Sequence, residues 1–597
     1  MKKYKSNIIS LILAIVLLIF IWHNFLISGN NIIFVFIFAS AYITIKRTIA
    51  NKSFFDKNKM INIGVIALLF SMIEIICKNI GTGNSTNNII NKWLIVNFMG
   101  YFIISGIIIF WLYHIFENLR FQFGNRELFK DDRYKWLKNE KFITVMNIIV
   151  IFVAWIPFFL RFYPGIVTSD SYSQIEQTIG LIGLSDHHPI THTAIIGIFI
   201  NIGLKLTNNI NVGIALYSIF SMIAMATMDA LVLKYLRKKK VPSMIRLMVL
   251  LFYALYPINA IYSITMWKDV LFSGMMSIFI IQNIELVTNT DEFLQKKRNI
   301  ALYIFVSILT ILLRHNGLYV VMITLIATFI PLRKYWKKLL MMLIIIVIVY
   351  ESHKIIIFNV LKAEKSSVAE MLSVPIQQIA RTVKYNIDDI NEETIEEINK
   401  YFIIENVWEN YDPTLSDPVK FKFNTQYFND NKLEFIKIWI ELFTKYPKDY
   451  IIATISNSYG YYYPEAKNTM ASWATLDHNN MGIKQTPVIK GEEVEEILVT
   501  AESRDIPVIS LIFSIGAGVW LTIIALGYKM YKKEYKYILV YLPIIVLWLT
   551  LLASPAYCEY RYAYPIFLAL PIYISMNFIN RKEEKDGENS SINTLLQ

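Results

Sequence analysis

Asp170, in Arg161-Phe-Tyr-Pro-Gly-Ile-Val-Thr-Ser-Asp-Ser-Tyr172, is followed closely by Ser185-Asp-His-His-Pro-Ile-Thr-His192. One polar stretch thus carries Asp170, Asp186, His187, His188 and His192. A carboxylate can take a proton from a hydroxyl, and an imidazole can orient an anion or move a proton. Such groups are costly beside a bilayer, and apolar runs flank this stretch on both sides. After a Pro164-Gly165 turn the pattern predicts a helix from about Ser169 to Ile182, with Asp170, Gln174 and Gln177 at i, i+4 and i+7 on one face. Asp170 also suits a plain first-turn acid, favoured there by the helix dipole. Asp186-His187-His188 before Pro189 suits a solvated turn. As ligands, Asp170, Asp186 and His187 would take a divalent ion, Mg or Mn, although adjacent residues converge on one ion only with help from elsewhere.

Three further charged tips separate apolar runs with almost no loop: Trp267-Lys-Asp269, Arg314-His-Asn-Gly317, and Glu559-Tyr-Arg561 inside Pro555–Pro565. Taken singly, Lys268 and Arg314 can snorkel to headgroups, Glu559 and Arg561 can form a structural pair, and the Tyr and Trp around them can be an aromatic belt. Together they put Lys268, Asp269, Arg314, Glu559 and Arg561 at hairpin tips on the same expected side as the Asp170 loop.

That side follows from the elements that carry the tips. The chain has 597 residues, 55% hydrophobic and 17% charged, with apolar runs along nearly its whole length. Runs near 20 residues match a bilayer core of about 30 Å, so the fold class is an all-α polytopic membrane protein. The net charge of +12 sits in short blocks: Lys2-Lys3, Lys46-Arg47, Arg120 to Lys141, Arg237 to Lys240, Lys296 to Arg298, Arg333 to Lys338, Lys529 to Lys536 and Arg581-Lys582. Each abuts an apolar run, which argues against nucleic-acid binding and marks the cytoplasmic side. The rule then gives about 14 spans, near 7–28, 31–46, 61–77, 93–116, 142–160, 211–235, 244–263, 269–288, 299–313, 317–332, 338–354, 506–528, 536–554 and 563–580, with both termini inside. Ile195 to Leu206 is left out, because counting it would move Arg237 to Lys240 outside. It is expected as a short helix lying on the outer surface or re-entering part-way. The first apolar run reads as an uncleaved helix rather than a signal peptide.

The domains expected are 1–141, four accessory spans with a basic cytoplasmic loop; 142–354, a transmembrane core with a first outer loop at 161–210; 355–505, an extracellular domain of mixed or mainly helical structure; 506–580, the last spans; and 581–597, a cytoplasmic tail. Within 355–505, Asn386 to Glu397 reads as an acidic solvated helix and Leu433 to Phe443 as an amphipathic one. Six of the eight histidines, His187, His188, His192, His315, His353 and His478, fall outside. Two cysteines, Cys77 and Cys558, make no disulfide framework.

The order of these features resembles the C-type (GT-C) membrane glycosyltransferases. Asp170-Ser171, a Gln-bearing helix and His188-Pro189-Ile190 are similar to that superfamily's first outer loop, whose Asp or Glu is catalytic and whose His-Pro-Pro-Leu-like motif begins a surface helix. The second Pro and the Leu are absent here. The resemblance extends to Met266-Trp-Lys-Asp269, Leu313-Arg-His-Asn-Gly317 and Glu559-Tyr-Arg-Tyr562. It looks closest to bacterial members with a large outer domain, to which Ser373-Val-Pro-Ile-Gln-Gln-Ile-Ala-Arg381 and Tyr459-Gly-Tyr-Tyr-Tyr-Pro464 are similar. The wealth of Ile, Asn and Lys suits an AT-rich bacterial genome. The likeness covers about residues 140–580.

The resemblance implies a GT-C-like architecture and transfer of a sugar from a polyprenyl-phosphate donor to a cell-envelope glycan, polymer or lipid, on the outer face of a bacterial plasma membrane. Asp170 would be the general base, and Arg314, then Lys268, would bind the donor phosphate. His187, His188, Asp269, Glu559, Arg561 and Gln174 would support or orient the site. The alternatives are a transporter or flippase of a lipid-linked or polar solute, or a lipid-linked-sugar polymerase. A carrier commonly shows midplane charges or broken helices in paired halves, whereas here no halves repeat.

Overall fold

The structure, a computed structural model, describes residues 2–25, 31–81, 92–123, 139–467, 479–493, 495–496, 498, 509–556 and 558–579. His478, Tyr557 and the tail 581–597 lie outside the described residues. Helices dominate, and among the described residues the only extended pairings are three isolated bridges. Lipid offers no partner for a backbone N–H or C=O, and a helix satisfies both within itself.

Four helices come first: α1 (Lys2–Phe25), α2 (Asn31–Ala50), α3 (Lys57–Ile80) and α4 (Leu94–Phe123). α5 (Glu140–Arg161) leads into the polar loop with α6 (Ser169–Thr178) and α7 (Ile190–Thr207). Then follow α8 (Ile210–Lys238), α9 (Ser243–Leu255), α10 (Pro257–Ser263), α11 (Lys268–Thr288), α12 (Thr290–Gln295), α13 (Lys297–Leu313), α14 (Asn316–Thr328) and α15 (Trp336–Ile355). A hydrophilic insert holds α16 (Ser373–Asn386), α17 (Glu392–Lys400), α18 (Asp417–Lys420), α19 (Thr425–Asp430), α20 (Lys432–Lys445) and α21 (Pro447–Ser458). α22 (Ile515–Tyr531), α23 (Tyr537–Ala553) and α24 (Tyr560–Ser575) close the chain.

Among the described residues nine helices are long and apolar enough to cross a membrane, or ten if α9 and α10, bent by 51°, form one span. This is a multi-pass membrane protein. Eight of the nine (α1 to α5, α8, α11 and α15) coincide with expected spans, and the ninth is α7. α14, α22 and α23 are apolar but shorter. α13 and α24, with 17 and 16 residues, are also short, and each ends or begins at a charged tip.

α7 turns back against the start of α8: His192, in its first turn, bonds Tyr217, while Gly203, near its other end, lies against the backbone of Gly213. Its length and apolarity put it among the helices able to cross a membrane, although the charge pattern leaves Ile195 to Leu206 out.

The two ends of the bundle are chemically distinct. Lys238 and Lys239, at the end of α8, pair with Glu285 near the C-terminus of α11 at 2.9 and 2.8 Å. Lys268 begins α11, about 26 Å away and on the scale of a bilayer core. The Lys238–Lys239 block and the Lys268 tip thus occupy opposite ends of α11.

One expectation is corrected by local geometry and another is met. The helix expected to reach Ile182 stops at Thr178: Gly180 has φ +78°, and Leu181 N–H bonds Glu176 O while Gly180 N–H bonds Gln177 O. This closing pattern needs a residue at ease with positive φ, which Gly180 supplies. The amphipathic segment Leu433–Phe443 is part of α20, with Phe435, Ile438 and Leu442 in the core of the insert.

The N-terminal helices are fastened to the rest at the basic end. Fully buried Lys59 of α3 pairs with Glu117 of α4 at 2.9 Å, Lys532 after α22 reaches the same carboxylate at 2.7 Å, and Tyr531 donates to Asp56. In the bundle interior Trp155 donates to Tyr253 O, Tyr253 to Leu568 O, and Tyr564 to Asn259 Oδ1, tying α5, α9, α10 and α24 together. Hydrogen bonds and close packing, not hydrophobic transfer, hold helices together in lipid.

Candidate functional site

The loops after α5 and before α11 are stapled by an Ile166–Thr265 bridge, with Ile166 N–H to Ile264 O at 3.0 Å and Met266 N–H to Ile166 O at 3.1 Å. Trp267 Nε1 donates to Thr168 Oγ1 at 2.6 Å, and Thr168 N–H to Ser171 Oγ closes the first turn of α6. Ser218 Oγ holds Pro164 O from α8. These short-range ties set Asp170, on the first turn of α6, beside Lys268, on the first turn of α11.

Asp170 Oδ2 lies 2.9 Å from Arg561 Nη1 and 3.6 Å from Lys268 Nζ. Arg561 also pairs with Glu559, donates to Tyr562 OH at 2.8 Å, and stands over the rings of Trp267 and Tyr562 at 4.9 and 4.7 Å. Lys268 Nζ donates to His188 Nδ1 at 2.7 Å. Arg314 Nη1 sits 2.9 Å from Asp269 Oδ1 and its guanidinium lies 5.0 Å from the Tyr562 ring. Tyr562 is thus shared by two guanidiniums, joining the pairs into one cluster of three cations and three carboxylates.

Exposure separates their roles. The Asp170 side chain is 25% exposed and Glu559 28%, whereas Asp269 is 1% exposed. A ligand can reach Asp170, while Asp269 can act only through Arg314. Burial would raise the Asp170 carboxyl, but the Lys268 and Arg561 charges outweigh it and hold it well below the usual carboxylate range. Burial raises Glu559 above its ordinary value, with Arg561 opposing. Burial and the neighbouring Lys268 push His188 down to about 2, so it stays neutral and accepts from that ammonium.

The rest of the polar loop is held by backbone. Asp186 N–H bonds Glu364 O and Glu364 N–H bonds Leu184 O, both at 2.8 Å, around the Ser185–Glu364 bridge. His315 bonds Asp186 O at 3.0 Å, and His353 bonds Thr191 at 3.1 Å. His187 packs edge-on against His188. Gln174 is spent on α7: its Oε1 meets His192 Nδ1 at 3.1 Å and its Nε2 donates to Thr193. Gln177 accepts from Ser185 N–H, so the expected shared face exists but Gln174 and Gln177 brace loops. Among the described residues no three His, Cys, Asp or Glu side chains are arranged to hold a metal ion. Asp170, Asp186 and His187 therefore do not form the divalent site weighed above: Asp170 faces Lys268 and Arg561, while Asp186 is held through its backbone on Glu364 and His315.

Sequence reasoning missed how the insert grips the third tip. Ser373 Oγ, Asn457 Nδ2 and Ser416 Oγ all donate to Pro555 O, at 2.6, 3.0 and 3.3 Å. Ser416 N–H bonds Ala556 O, Cys558 Sγ donates to Asn457 O, and Ser554 donates to Glu370 O. The segment leading to Glu559 and Arg561 is thus fixed from outside the bundle. Nothing in the sequence paired Ser373, Ser416 or Asn457 with Pro555.

A family model described as a family of unknown function, DUF6020, matches residues 180–591. No curated protein and no solved structure matches the chain.

Proposed function

We propose that this chain, which belongs to the DUF6020 family, is a glycosyltransferase of GT-C-like architecture with its site on the outer face of a bacterial plasma membrane. The observation that carries this reading is Asp170 Oδ2 held between Arg561 and Lys268, at the end of α11 opposite Lys238 and Lys239. The substrate is a sugar on a polyprenyl phosphate, which reaches that level laterally through the bilayer. Its phosphate is bound by Lys268 and Arg561, with Arg314 beside them; guanidinium pairs with two phosphate oxygens at once.

Asp170 accepts the proton of the acceptor hydroxyl as that oxygen bonds to the anomeric carbon. The bond from that carbon to the phosphate oxygen breaks, and the electron pair leaves with the polyprenyl phosphate, stabilised by the cations. With both cations on it, Asp170 is a weak base. A phosphate drawing Lys268 and Arg561 toward itself raises the carboxyl toward a useful range, so the base is released only when donor is bound. The acceptor is a glycan, polymer or lipid of the cell envelope.

The test is transfer by purified full-length protein from labelled polyprenyl-phosphate sugars to envelope acceptors. Asp170→Asn is expected to lose about 10²–10⁴-fold in rate while remaining folded; full transfer by that variant removes Asp170 from the chemistry. A cysteine placed at Asn208 is expected to react with an impermeant reagent from outside the cell. A carrier reading is favoured by one group, Asp229 of α8, which is 1% exposed and has no hydrogen-bond partner for either oxygen among the described residues. Solute flux in liposomes with no glycosyl product decides for it.

A further inference from the structure

α20 is apolar on two faces. Phe435, Ile438 and Leu442 are buried in the core of the insert. Leu433, Ile436, Ile440 and Phe443 form a second stripe, all exposed, with Leu433 at 85%. At 3.6 residues per turn the two groups are centred about 150° apart, so they are separate surfaces rather than one ragged face. Lys432 and Lys437 are exposed and flank the second stripe on either side, while Glu434 and Glu441 lie farther round toward the buried face. Cations bordering an apolar stripe, with acids set back from it, suit a helix lying in a lipid interface.

The position of α20 supports the same occupant. α21 follows directly, and its far end is fastened to the membrane-crossing helices. There Ser456 Oγ donates to Ile80 O at the end of α3, and Asn457 to Pro555 O. Just beyond, Trp520 and Trp548 donate to the carbonyls of Tyr462 and Tyr461. α21 has 12 residues, so the C-terminal end of α20, next to Phe443, lies within about 18 Å of those helix ends. Exposed Ile451 adds a further apolar side chain on α21. α3 itself presents Ile61, Val65, Leu68, Leu69 and Met72 outward, the surface expected of a helix facing lipid.

We propose that the Leu433–Phe443 stripe of α20 inserts into the headgroup region of the bilayer that the chain crosses, with Lys432 and Lys437 meeting lipid phosphates. The insert is thereby tied to the membrane by a surface of its own as well as by its chain ends. A second copy of the chain is the less complementary cover, because a two-fold contact through this stripe brings its flanking lysines toward their counterparts.

The experiment uses the full-length chain in nanodiscs of phosphatidylglycerol and phosphatidylethanolamine. Ile440→Cys and, as the control on the acidic side of the same helix, Glu441→Cys carry an environment-sensitive fluorophore; native Cys77 and Cys558 are buried. The expected result is several-fold stronger quenching by nitroxide-labelled lipid, and weaker quenching by aqueous iodide, at Ile440→Cys than at Glu441→Cys. Equal iodide quenching at both positions overturns the proposal. Shielding at Ile440→Cys that vanishes in discs holding a single copy also overturns it, because a second copy is then the cover. A further variant, Ile436→Glu with the label at Phe443→Cys, leaves the buried face intact and is expected to lose the lipid quenching; retained quenching counts against insertion.

Discussion

Arg561 Nη1 lies 2.9 Å from Asp170 Oδ2, a pairing across 391 residues of chain. The two residues lie far apart in the sequence, and neither helix that carries them could hold its charge near lipid alone. The pair is reachable from solution on the Asp170 side and backed by the Trp267 and Tyr562 rings on the other. Such a pair is poised to be opened by an anion that competes for the guanidinium.

Arg561→Gln removes one of the two charges that hold Asp170 low. The carboxyl then titrates at higher pH, and the base is lost sooner on acidification. The acid limb of transfer is expected to move to higher pH, with a rate loss of about 10²–10³-fold. Arg561→Lys keeps the charge but loses the fork and the ring stacking, so it should recover the pH profile better than the rate. An unmoved acid limb in Arg561→Gln separates Arg561 from the protonation of Asp170.

Acid sensitivity should come first from His188. Its folded value is pushed down to about 2 by burial and Lys268, whereas the unfolded chain titrates near about 6.5. Below about pH 6.5 the unfolded state binds the extra proton, so stability falls as pH drops toward 2. Burial lowers His187 too, with the same sign. The Asp170 contribution has a lower window: it is complete above the unfolded value of about 3.9 and disappears as pH falls below that. His188→Gln should therefore flatten the fall in Tm between pH 7 and 5, measured in detergent or nanodiscs. An unchanged slope assigns that acid sensitivity to other groups.

Arg314 and Asp269 make a buried pair, so each single loss strands a charge. Arg314→Met should destabilise the protein by about 3–5 kcal/mol, and Arg314→Met with Asp269→Leu should recover much of that. Thermal unfolding checks both. Loss of transfer in the double variant at restored Tm places Arg314 on the substrate, while retained transfer leaves it a brace for Tyr562.

Asn457→Ala removes one of the side chains on Pro555 O and leaves neighbouring polar groups unsatisfied. The expected cost is about 1–3 kcal/mol. Hydrogen exchange in 554–562 should speed up more than in α16 or α20, and transfer should fall through kcat rather than KM. Unchanged exchange in 554–562 separates the insert from the positioning of Arg561.

What was legible in the sequence came from local physics. Apolar length and the basic blocks identified a multi-pass helical protein, and residue spacing put Gln174 and Gln177 on one face of α6. Charge alone excluded Ile195 to Leu206 from the spans, whereas α7 is long and apolar enough to cross a membrane. The three tips stood out because full charges between two apolar runs are costly unless partnered. The end of α6 at Gly180 was visible as a residue but not as a closing motif, since that depends on which carbonyls the next two N–H groups find.

Partners were not legible. Lys268 and Arg314 stood together in the sequence reading as phosphate ligands, yet one lies against Asp170 and His188 while the other is sealed on Asp269. No periodicity in either tip distinguishes those outcomes, because pairing depends on how helices far apart in sequence are rotated and raised against each other. The same holds for Asn457, Ser373 and Ser416, three ordinary polar residues until they converge on one carbonyl. The sequence by itself determined that charges would gather at one end of an apolar bundle, because lipid leaves them nowhere else to go. Only the tertiary structure decided which carboxylate stays open to a ligand, because exposure and ion pairing are set by packing between elements that share no local pattern.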